Sequence, residues 1–403
     1  MAFTTVTGSN GITSLVGTTG VDTATIVTLP DKVFVGANTE DDVLTINLGT
    51  GGSNASNYDV RMGGGDDNFT TVDTILNSFI SLDGETLAND GHDNFLVTGG
   101  TQLIINSEIV GRGGNDNFGT NAIRVRLQGS TINGNTGFDT IFIGASNSSE
   151  IYGGKDQDSI VSQGDLVDMM INGNKGDDTI RVSIAGVGTF SGTVFGGQGA
   201  DLISVSNIEN RVDGANLSGD DGSDTIIGSR GMDTITGGND NDTLTGAANA
   251  DTMTGGTGND VFAGYGTASV ADVNDGANKG FDTITDFSAS TAAVANGDTI
   301  STGTAGTAGN FILQGAGGAA VLSDSGADLD AILTTAFAGF AAATTANGVI
   351  TITAGAANAG IAGNYFVHNQ DGIAGFQSGV DNVIKLNSLA GFTAANIANV
   401  VTV

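Results

Sequence analysis

The sequence predicts an all-β protein: a parallel β-solenoid, in which short strands stack coil upon coil, followed by a smaller, mixed but mostly β C-terminal region. Three observations support this prediction. Five nine-residue repeats run without interruption from residue 219 to 263, a looser form of the same motif recurs upstream, and one place in each repeat is large and apolar. A fixed short period is typical of solenoids, because each repeat forms one unit that stacks on the next.

The strict repeats read GDDGSDTII, GSRGMDTIT, GGNDNDTLT, GAANADTMT and GGTGNDVFA. Each begins with glycine, carries aspartate at place six and has an apolar residue at place eight. Nine residues fit one short strand and one turn, and the local alternation is of strand type. Stacked coils would then build an internal ladder from the place-eight residues, which are Phe69, Phe95, Phe118, Ile141, Ile160, Ile180, Ile203, Ile226, Ile235, Leu244, Met253 and Phe262.

The same half-motif recurs upstream at wider intervals, beginning at Gly111, Gly134, Gly153, Gly173 and Gly196. The aspartates of these copies lie 19 to 23 residues apart. The residue two places before each glycine remains apolar, as it is in the strict repeats. We therefore expect each irregular coil to keep two short strands and one glycine–aspartate turn, and the opposite turn to be a looser loop.

This pattern divides the chain into five segments. Degenerate coils and a cap are expected over 1–110, an irregular one-sided solenoid over 111–218, the strict repeats over 219–263, closing strands over 264–299 and a C-terminal assembly or secretion-signal domain over 300–403. In the last segment, the apolar spacing of 328–344 predicts a helix. Strands are expected at GVITITAG, GNYFVHN and DNVIKL.

The charge of the chain indicates which partners it favours. The 403 residues include 12 Lys and Arg against 44 Asp and Glu, for a formal net charge of −32. Such a charge opposes binding to nucleic acid or anionic membranes, which needs basic side chains, and it favours cations. There is no cysteine and only two histidines, so thiolate and zinc sites are not expected. No apolar run is long enough for a membrane span.

The repeated aspartates predict a metal. Stacking places equivalent carboxylates about one strand spacing apart, ~4.8 Å, where like charges repel. The glycines of the turn permit positive φ and direct carbonyl oxygens inward. A column of carboxylate and carbonyl oxygens suits Ca²⁺, which accepts six to eight oxygen ligands flexibly, better than Mg²⁺. We expect several Ca²⁺ ions to bridge the coils, so that folding and ion binding form one equilibrium.

The strict stretch 219–263 resembles the repeats-in-toxin (RTX) family of calcium-binding nonapeptides, and the resemblance weakens towards the N-terminus. It implies a calcium-binding β-roll in which places two, four and six of one repeat share an ion with places one, three and six of the repeat two further on. The implied sets are Asp220, Gly222 and Asp224 with Gly237, Asn239 and Asp242; Ser229, Gly231 and Asp233 with Gly246, Ala248 and Asp251; and Gly238, Asp240 and Asp242 with Gly255, Thr257 and Asp260.

In the irregular part, a single ion column is expected through Asp139, Asp158, Asp178, Asp201 and Asp224, and Asp116 is a further candidate ligand. Asp156, Asp240 and Asn249 replace glycine at place four, and these residue types tolerate the left-handed backbone. The resemblance also implies export through the type I secretion machinery with an uncleaved C-terminal signal, and therefore an extracellular or bacterial cell-surface location. The absence of an ordinary N-terminal signal fits that expectation.

No catalytic motif accompanies the repeats, because the sequence has neither HExxH nor GxSxG. We therefore expect a structural protein rather than an enzyme. The favoured function is a calcium-binding subunit that assembles with copies of itself into a surface layer, sheath or fibre. The alternative is a monomeric adhesin or a solenoid that binds or modifies cell-surface polysaccharide.

Overall fold

The structure is a computed structural model. It describes residues 4–7, 13–16, 20–26, 33–36, 40–48, 54–83, 91–98, 100, 102–184, 189–206, 214–263, 282–287, 298–301, 311–314, 333, 347–352, 363–368, 382–387 and 397–398. The chain divides into two compact units, unit 1 (Met1–Ile208) and unit 2 (Glu209–Val403). Every element with described bounds is a β-strand, and among the described residues no helix is long and apolar enough to cross a membrane.

The strands of unit 1 are β1 (Thr4–Thr7), β2 (Thr13–Val16), β3 (Thr23–Ile26), β4 (Val33–Gly36), β5 (Val43–Ile46), β6 (Asn54–Ser56), β7 (Tyr58–Arg61), β8 (Asn68–Thr71), β9 (Thr74–Leu76), β10 (Phe79–Ser81), β11 (Asn94–Val97), β12 (Ile104–Ile105), β13 (Glu108–Arg112), β14 (Asn117–Phe118), β15 (Leu127–Gln128), β16 (Thr131–Thr136), β17 (Thr140–Ile143), β18 (Ser146–Asn147), β19 (Glu150–Lys155), β20 (Ser159–Gln163), β21 (Leu166–Lys175), β22 (Thr179–Ser183), β23 (Phe190–Gln198) and β24 (Leu202–Ser206).

The strands of unit 2 are β25 (Asn216–Asp221), β26 (Thr225–Ile227), β27 (Thr234–Asn239), β28 (Thr243–Thr245), β29 (Thr252–Thr257), β30 (Val261–Ala263), β31 (Asp282–Ile284), β32 (Thr299–Ser301), β33 (Phe311–Gln314), β34 (Asn347–Ile352), β35 (Gly363–His368), β36 (Asn382–Leu386) and β37 (Ile397–Ala398).

Unit 1 is a parallel β-solenoid with three rows of strands. Row A contains β2, β4, β7, β10, β13, β16, β19, β21 and β23. Row B contains β3, β5, β8, β11, β14, β17, β20, β22 and β24. Row C contains β6, β9, β12, β15, β18 and the first residues of β21. The strands β1 and β2 form an antiparallel pair next to β4.

Row C corrects the expectation of a loose loop opposite each glycine–aspartate turn. The extra residues of the irregular coils form a third short strand and then turn a corner, where Asn77, Asn106 and Ser148 have φ of 47°, 48° and 46°. A serine ladder follows the corner: the backbone N–H of Ser78 donates to Ser107 Oγ at 3.0 Å and that of Ser107 to Ser130 Oγ at 3.1 Å. Longer coils are therefore ordered, because hydroxyl acceptors satisfy the corner amides.

The core is the predicted place-eight ladder. All twelve of its residues are buried, from Phe69 to Phe262. The in-register parallel pairing places identical or similar side chains above one another, so that the Phe69 and Phe95 rings stack with centroids 5.1 Å apart. The expected all-β solenoid is therefore confirmed. Its apolar interior is narrow, because the alternating burial along each short strand directs only every second residue inward.

Unit 2 begins with two rows that correspond to the strict repeats. In one row, neighbouring strands pair in parallel in the order β25, β27, β29, β31 and β36. In the other row, the parallel order is β26, β28, β30, β32 and β37. The strands expected at GVITITAG, GNYFVHN and DNVIKL are present as β34, β35 and β36, which pair antiparallel in sequence. The predicted helix over 328–344 lies outside the described residues, apart from Leu333.

Candidate metal centre

The glycine–aspartate turns have the left-handed backbone that the sequence predicts. Places two and four of the repeats have positive φ, as at Gly238 (126°) and Gly222 (125°), except in the repeat that contains Ser229 and Gly231. The three replacements of the place-four glycine keep the same conformation, with φ of 72° at Asp156, 73° at Asp240 and 77° at Asn249. Asp and Asn adopt this region more readily than other non-glycine residues, so the turns survive these departures.

The place-six aspartates of unit 1 form an aspartate ladder, defined as successive aspartates in which the backbone N–H of one donates to the carboxylate Oδ1 of the next. The N–H of Asp116 donates to Asp139 at 2.8 Å, Asp139 donates to Asp158 at 2.8 Å, and Asp158 donates to Asp178 at 2.7 Å. Asp178 donates to Asp201 at 2.7 Å. The structure thus brings the predicted ligands of unit 1 into one continuous column.

Unit 2 has two such columns, because its coils contain two repeats each. In one column Asp224 donates to Asp242 at 2.9 Å, and Asp242 donates to Asp260 at 3.0 Å. In the other, Asp233 donates to Asp251 at 2.7 Å. Each of the three implied ligand sets therefore consists of two turns that lie on neighbouring coils, as an ion shared between repeats requires. Coordination itself stays a prediction.

Four of the ladder carboxylates are deeply buried, and the charges that act on their pKa values are those of other carboxylates. Asp116, Asp139, Asp158 and Asp178 are each at most 3 % exposed. Burial raises the pKa of Asp116 to about 10, with a further contribution from Asp93 and Asp139, and burial raises the pKa of Asp158 to about 8. The surroundings therefore disfavour the ionised form, which is the ordinary form of a carboxyl at neutral pH.

One oxygen of each of these carboxylates has no hydrogen-bond partner. The set consists of Oδ2 of Asp67, Asp116, Asp139, Asp158, Asp178, Asp242, Asp251 and Asp260. A buried carboxylate oxygen without a partner carries a large desolvation cost, which a cation removes. The donor chemistry of hard carboxylate oxygens fits Ca²⁺. Among the described residues no three acidic or histidine side chains cluster as a metal site, so carbonyl oxygens of the turns would have to complete the coordination.

The place-one glycines provide the space for these carboxylates. A Cβ added to Gly134 would overlap Asp139 Oδ2 and lie 2.5 Å from the carbonyl oxygen of Gly153. The same holds at Gly237, where a Cβ would overlap Asp242 Oδ2 and lie 2.5 Å from the carbonyl oxygen of Gly255. Glycine is therefore needed at place one because the carboxylate and the carbonyl of the next coil converge there.

The turn at Ser229 differs from the others. Its backbone N–H donates to Asp233 Oδ2 at 2.5 Å and its hydroxyl donates to Asp233 Oδ1 at 2.9 Å, while Gly231 N–H donates to the Ser229 hydroxyl at 2.9 Å. The Ser229 carbonyl accepts from Ala248 N–H at 3.3 Å. This turn satisfies its own carboxylate, so its need for a cation is smaller than that of the neighbouring turns.

Among the remaining predicted ligands, Asn239, Asp240 and Thr257 are exposed, whereas the place-one residues Gly237, Gly246 and Gly255 are buried. The Asp220 carboxylate accepts from the Ser218 hydroxyl at 2.5 Å, and Gly222 N–H donates to the Asn239 carbonyl at 3.2 Å. The Thr257 hydroxyl donates to the Asn239 side chain at 2.9 Å. The predicted ligands Gly238, Asp240, Gly246 and Gly255 also lie in turns that contact the equivalent turn of a neighbouring coil.

Two parts of the ladder were not among the predicted ligands, although degenerate coils were expected over 1–110 and closing strands over 264–299. Degenerate copies at the N-terminal side extend it through Asp22, Asp42, Asp67 and Asp93, each of which donates to the next at 2.6 to 3.0 Å. At the other end, Asp251 donates to Asp282 at 2.9 Å and Asp260 donates to Asp298 at 3.0 Å. The shared signal is an aspartate two places before an apolar residue, but the last rungs lie 31 and 38 residues apart in sequence instead of the usual 18 of unit 2, which conceals it.

A second ladder, on the solvent side of the turns, was also missed. Place-five side chains accept the place-five N–H of the next coil, as when Asp66 accepts from His92 at 2.9 Å and His92 Nδ1 accepts from Asn115 at 3.2 Å. Asn115 in turn accepts from Phe138 at 2.8 Å. His92 is therefore a turn residue that caps a neighbouring amide.

Adjacent aspartates in one turn provide a test of the ladder. In chelator at pH 6, we expect Asp178→Asn to stabilise the fold, because the amide keeps the acceptor for Asp158 N–H and removes a carboxyl whose pKa burial raises to about 7. One pKa unit corresponds to about 1.4 kcal/mol, so the gain is on the order of 3 kcal/mol in urea unfolding. In calcium, the same variant should bind the ion more weakly, because it lacks a charged ligand.

The matched control is Asp177→Asn, which changes the neighbouring, exposed carboxylate that accepts from Ala200 N–H. It should alter stability by less than about 0.5 kcal/mol in either condition, as surface substitutions usually do. Equal destabilisation by Asp178→Asn with and without calcium would contradict a metal-binding role.

Comparison with known proteins agrees with this geometry. The family model described as RTX calcium-binding nonapeptide repeat matches residues 218–253 and 245–267, in four copies. No curated protein matches the chain. The chain therefore carries RTX calcium-binding repeats on a β-solenoid, and Ca²⁺ is the metal that these repeats bind.

Proposed function

We propose that this protein is a secreted structural protein that folds when it meets extracellular calcium and assembles with copies of itself into a surface layer, sheath or fibre. The observation that carries the proposal is the aspartate ladder, whose buried carboxylates need a cation to become compatible with the fold. In low calcium the ladder carboxylates repel one another and oppose folding. In high calcium, bound Ca²⁺ bridges the carboxylates of neighbouring coils. The type I secretion machinery is the expected export partner, since RTX proteins are typically extracellular.

A structural role fits the proportion of the chain devoted to the solenoid. The described coils run from β3 to β24 in unit 1 and from β25 to β32 in unit 2, and their repeated element is the glycine–aspartate turn. The acidic pairs that resemble a hydrolase dyad, such as Asp177 and Asp178, recur as ladder and turn residues. We accordingly propose a binding and assembly function rather than catalysis.

The proposal is tested by electron microscopy of the purified protein before and after calcium is added. We expect dispersed particles in chelator and ordered arrays or filaments in millimolar calcium. The calcium-free sample serves as the control, and magnesium at the same concentration tests the identity of the ion. Particles that remain dispersed while circular dichroism shows a calcium-induced fold would contradict assembly.

A second candidate function, polysaccharide binding, is favoured by a groove of about 670 Å³ along the corner of unit 1. Its lining includes Asn77, Asn106, Phe79 and Glu108. The two asparagine side chains are joined by a 3.4 Å hydrogen bond, and Arg61 lies 5.9 Å from the Phe79 ring centre. Amides, a carboxylate and a ring face are groups that bind sugars. Monomers that co-sediment with insoluble polysaccharide in calcium would favour this function over assembly.

A further inference from the structure

Row B of unit 1 presents a surface with almost no charge. Its nine strands alternate between buried residues, which point into the core, and partly exposed residues, which point outward. The sequences of the strands are TATI, VLTI, NFTT, NFLV, NF, TIFI, SIVSQ, TIRVS and LISVS. Arg181 is the one charged residue among them, and it is a cation. We call the outward side of these strands the row B face.

This composition contrasts with the rest of a chain that has 44 acidic residues. Row A carries Asp59, Glu108 and Glu150 on its strands, and the exposed turns next to row B carry further carboxylates, among them Asp66 and Asp177. Row C strands also lack acidic residues, but they are only two or three residues long. The row B face is therefore the wider of the two strand faces without a carboxylate, and the acidic residues lie on row A and in the turns.

The face is also regular and partly apolar. In-register parallel pairing aligns the outward residues in columns, with Thr140, Ser159 and Thr179 in one and Phe142, Val161 and Arg181 in the next. Leu96 and Leu202 add apolar surface at other strands. Nine strands with a spacing of ~4.8 Å extend over about 38 Å. Flat regular sheet faces with short hydroxyl and branched side chains allow another such face to approach closely.

We infer that the row B face binds the same face of a second copy of this chain, side by side, and so forms the lateral contact of the assembly. The inference rests on the proposed function. Two chains of net charge −32 repel each other, and the row B face lets them meet without opposing carboxylates. A two-fold arrangement is the usual one for identical surfaces.

The position of Arg181 favours one of the two possible two-fold arrangements. Its strand, β22, is the next to last of row B, so centred docking about a two-fold axis along the strands, which reverses the strand order, places it opposite β5. The two cations are thereby kept apart. A two-fold axis along the solenoid would instead place the two β22 strands opposite each other.

The area of the face sets the expected strength of the contact. A strip about 38 Å long and roughly 12 Å wide buries about 450 Å² per copy, which is less than the ~800 Å² per partner of a stable complex. We therefore expect a concentration-dependent pair rather than a permanent dimer.

The test compares matched variants by sedimentation equilibrium in millimolar calcium. Phe142→Asp places a carboxylate in the middle of the row B face, and Val161→Asp does so on the next coil. The control is Tyr152→Asp, which changes another partly exposed aromatic residue, on β19 of row A. Circular dichroism confirms that each variant folds with calcium, and Val161→Asp retains the test if Phe142→Asp does not fold.

We expect the unaltered protein and Tyr152→Asp to self-associate alike, and the two row B variants to associate at least tenfold more weakly. Association of a folded row B variant at the unaltered strength would overturn this inference and leave the proposed assembly intact. A fully monomeric, folded unaltered protein would overturn both. Loss of binding to insoluble polysaccharide by the row B variants of a monomeric protein would assign the face to a glycan instead.

Discussion

Chelation of calcium at pH 8 is expected to remove most of the parallel β-structure of this protein. The reason lies in the ladder, where burial raises the pKa of Asp139 and Asp178 to about 7 and that of Asp158 to about 8. At pH 8 Asp139 and Asp178 are largely ionised and Asp158 is about half ionised, and each ionised carboxylate is buried beside another on the next coil. At about 1.4 kcal/mol per pKa unit, these three carboxyls together cost on the order of 14 kcal/mol, which is comparable to the 5–15 kcal/mol that typically separates folded from unfolded states.

The measurement is far-ultraviolet circular dichroism during a calcium titration that starts in chelator. A steep, reversible gain of β-signal with calcium is expected, because binding and folding form one equilibrium. Magnesium provides the control and should restore less signal, since it demands a stricter octahedral site. An unchanged β-signal in chelator would show that the carboxylates are accommodated without a cation.

Acidification in chelator is expected to restore the fold that calcium removal abolishes. The folded-state pKa values of the ladder lie above the unfolded value of 3.8, with Asp260 at about 6 and Asp67 at about 9, chiefly because of burial. The folded state therefore binds more protons than the unfolded state between these values. The stability that protonation provides is fully present below about pH 4 and is lost progressively as the pH rises above it, with the loss complete for each carboxyl at its folded-state pKa, from about 6 for Asp260 to about 10 for Asp116.

The pH dependence should reverse its sign when calcium is present. Protons and calcium compete for the same carboxylates, so lowering the pH weakens calcium binding while it stabilises the calcium-free fold. Urea unfolding between pH 5 and 8, measured in chelator and in saturating calcium, distinguishes the two slopes. Stability that rises with pH in chelator would mean that the ladder carboxylates are not buried in solution as they are in the structure.

Much of the fold could be predicted because the solenoid is local and periodic. The distance from the place-six aspartate to the place-eight apolar residue is fixed by one strand, so Ile180 or Leu244 is identified as core from its own repeat. Row C could not be predicted in the same way. The corner that follows row C is held by hydroxyl groups of neighbouring coils, as in the hydrogen bond from Ser107 N–H to Ser130 Oγ. These two residues are 23 apart in sequence, so their contact cannot be predicted from a single repeat.

The candidate site was likewise predictable in its local features and not in the features that depend on neighbouring coils. The place-six aspartates were predicted individually, but their role as Oδ1 acceptors for the preceding coil appears only when coils are stacked, as between Asp158 and Asp139. The turn at Ser229 was grouped with the others because its spacing is regular. Its serine hydroxyl nevertheless bonds to Asp233, and a single serine at place two is enough to change the local chemistry.

The direction of the hydrogen bonds in the aspartate ladder gives the stack a growth polarity. Every rung from Asp116 to Asp178 donates its amide towards the C-terminal neighbour, which supplies the acceptor. A coil that adds to the N-terminal side of an existing stack therefore meets a carboxylate oxygen already in position. A coil that adds to the C-terminal side must first bury a carboxylate of its own. Folding that starts at the C-terminal coils and adds coils one by one towards the N-terminus is therefore favoured over the opposite order.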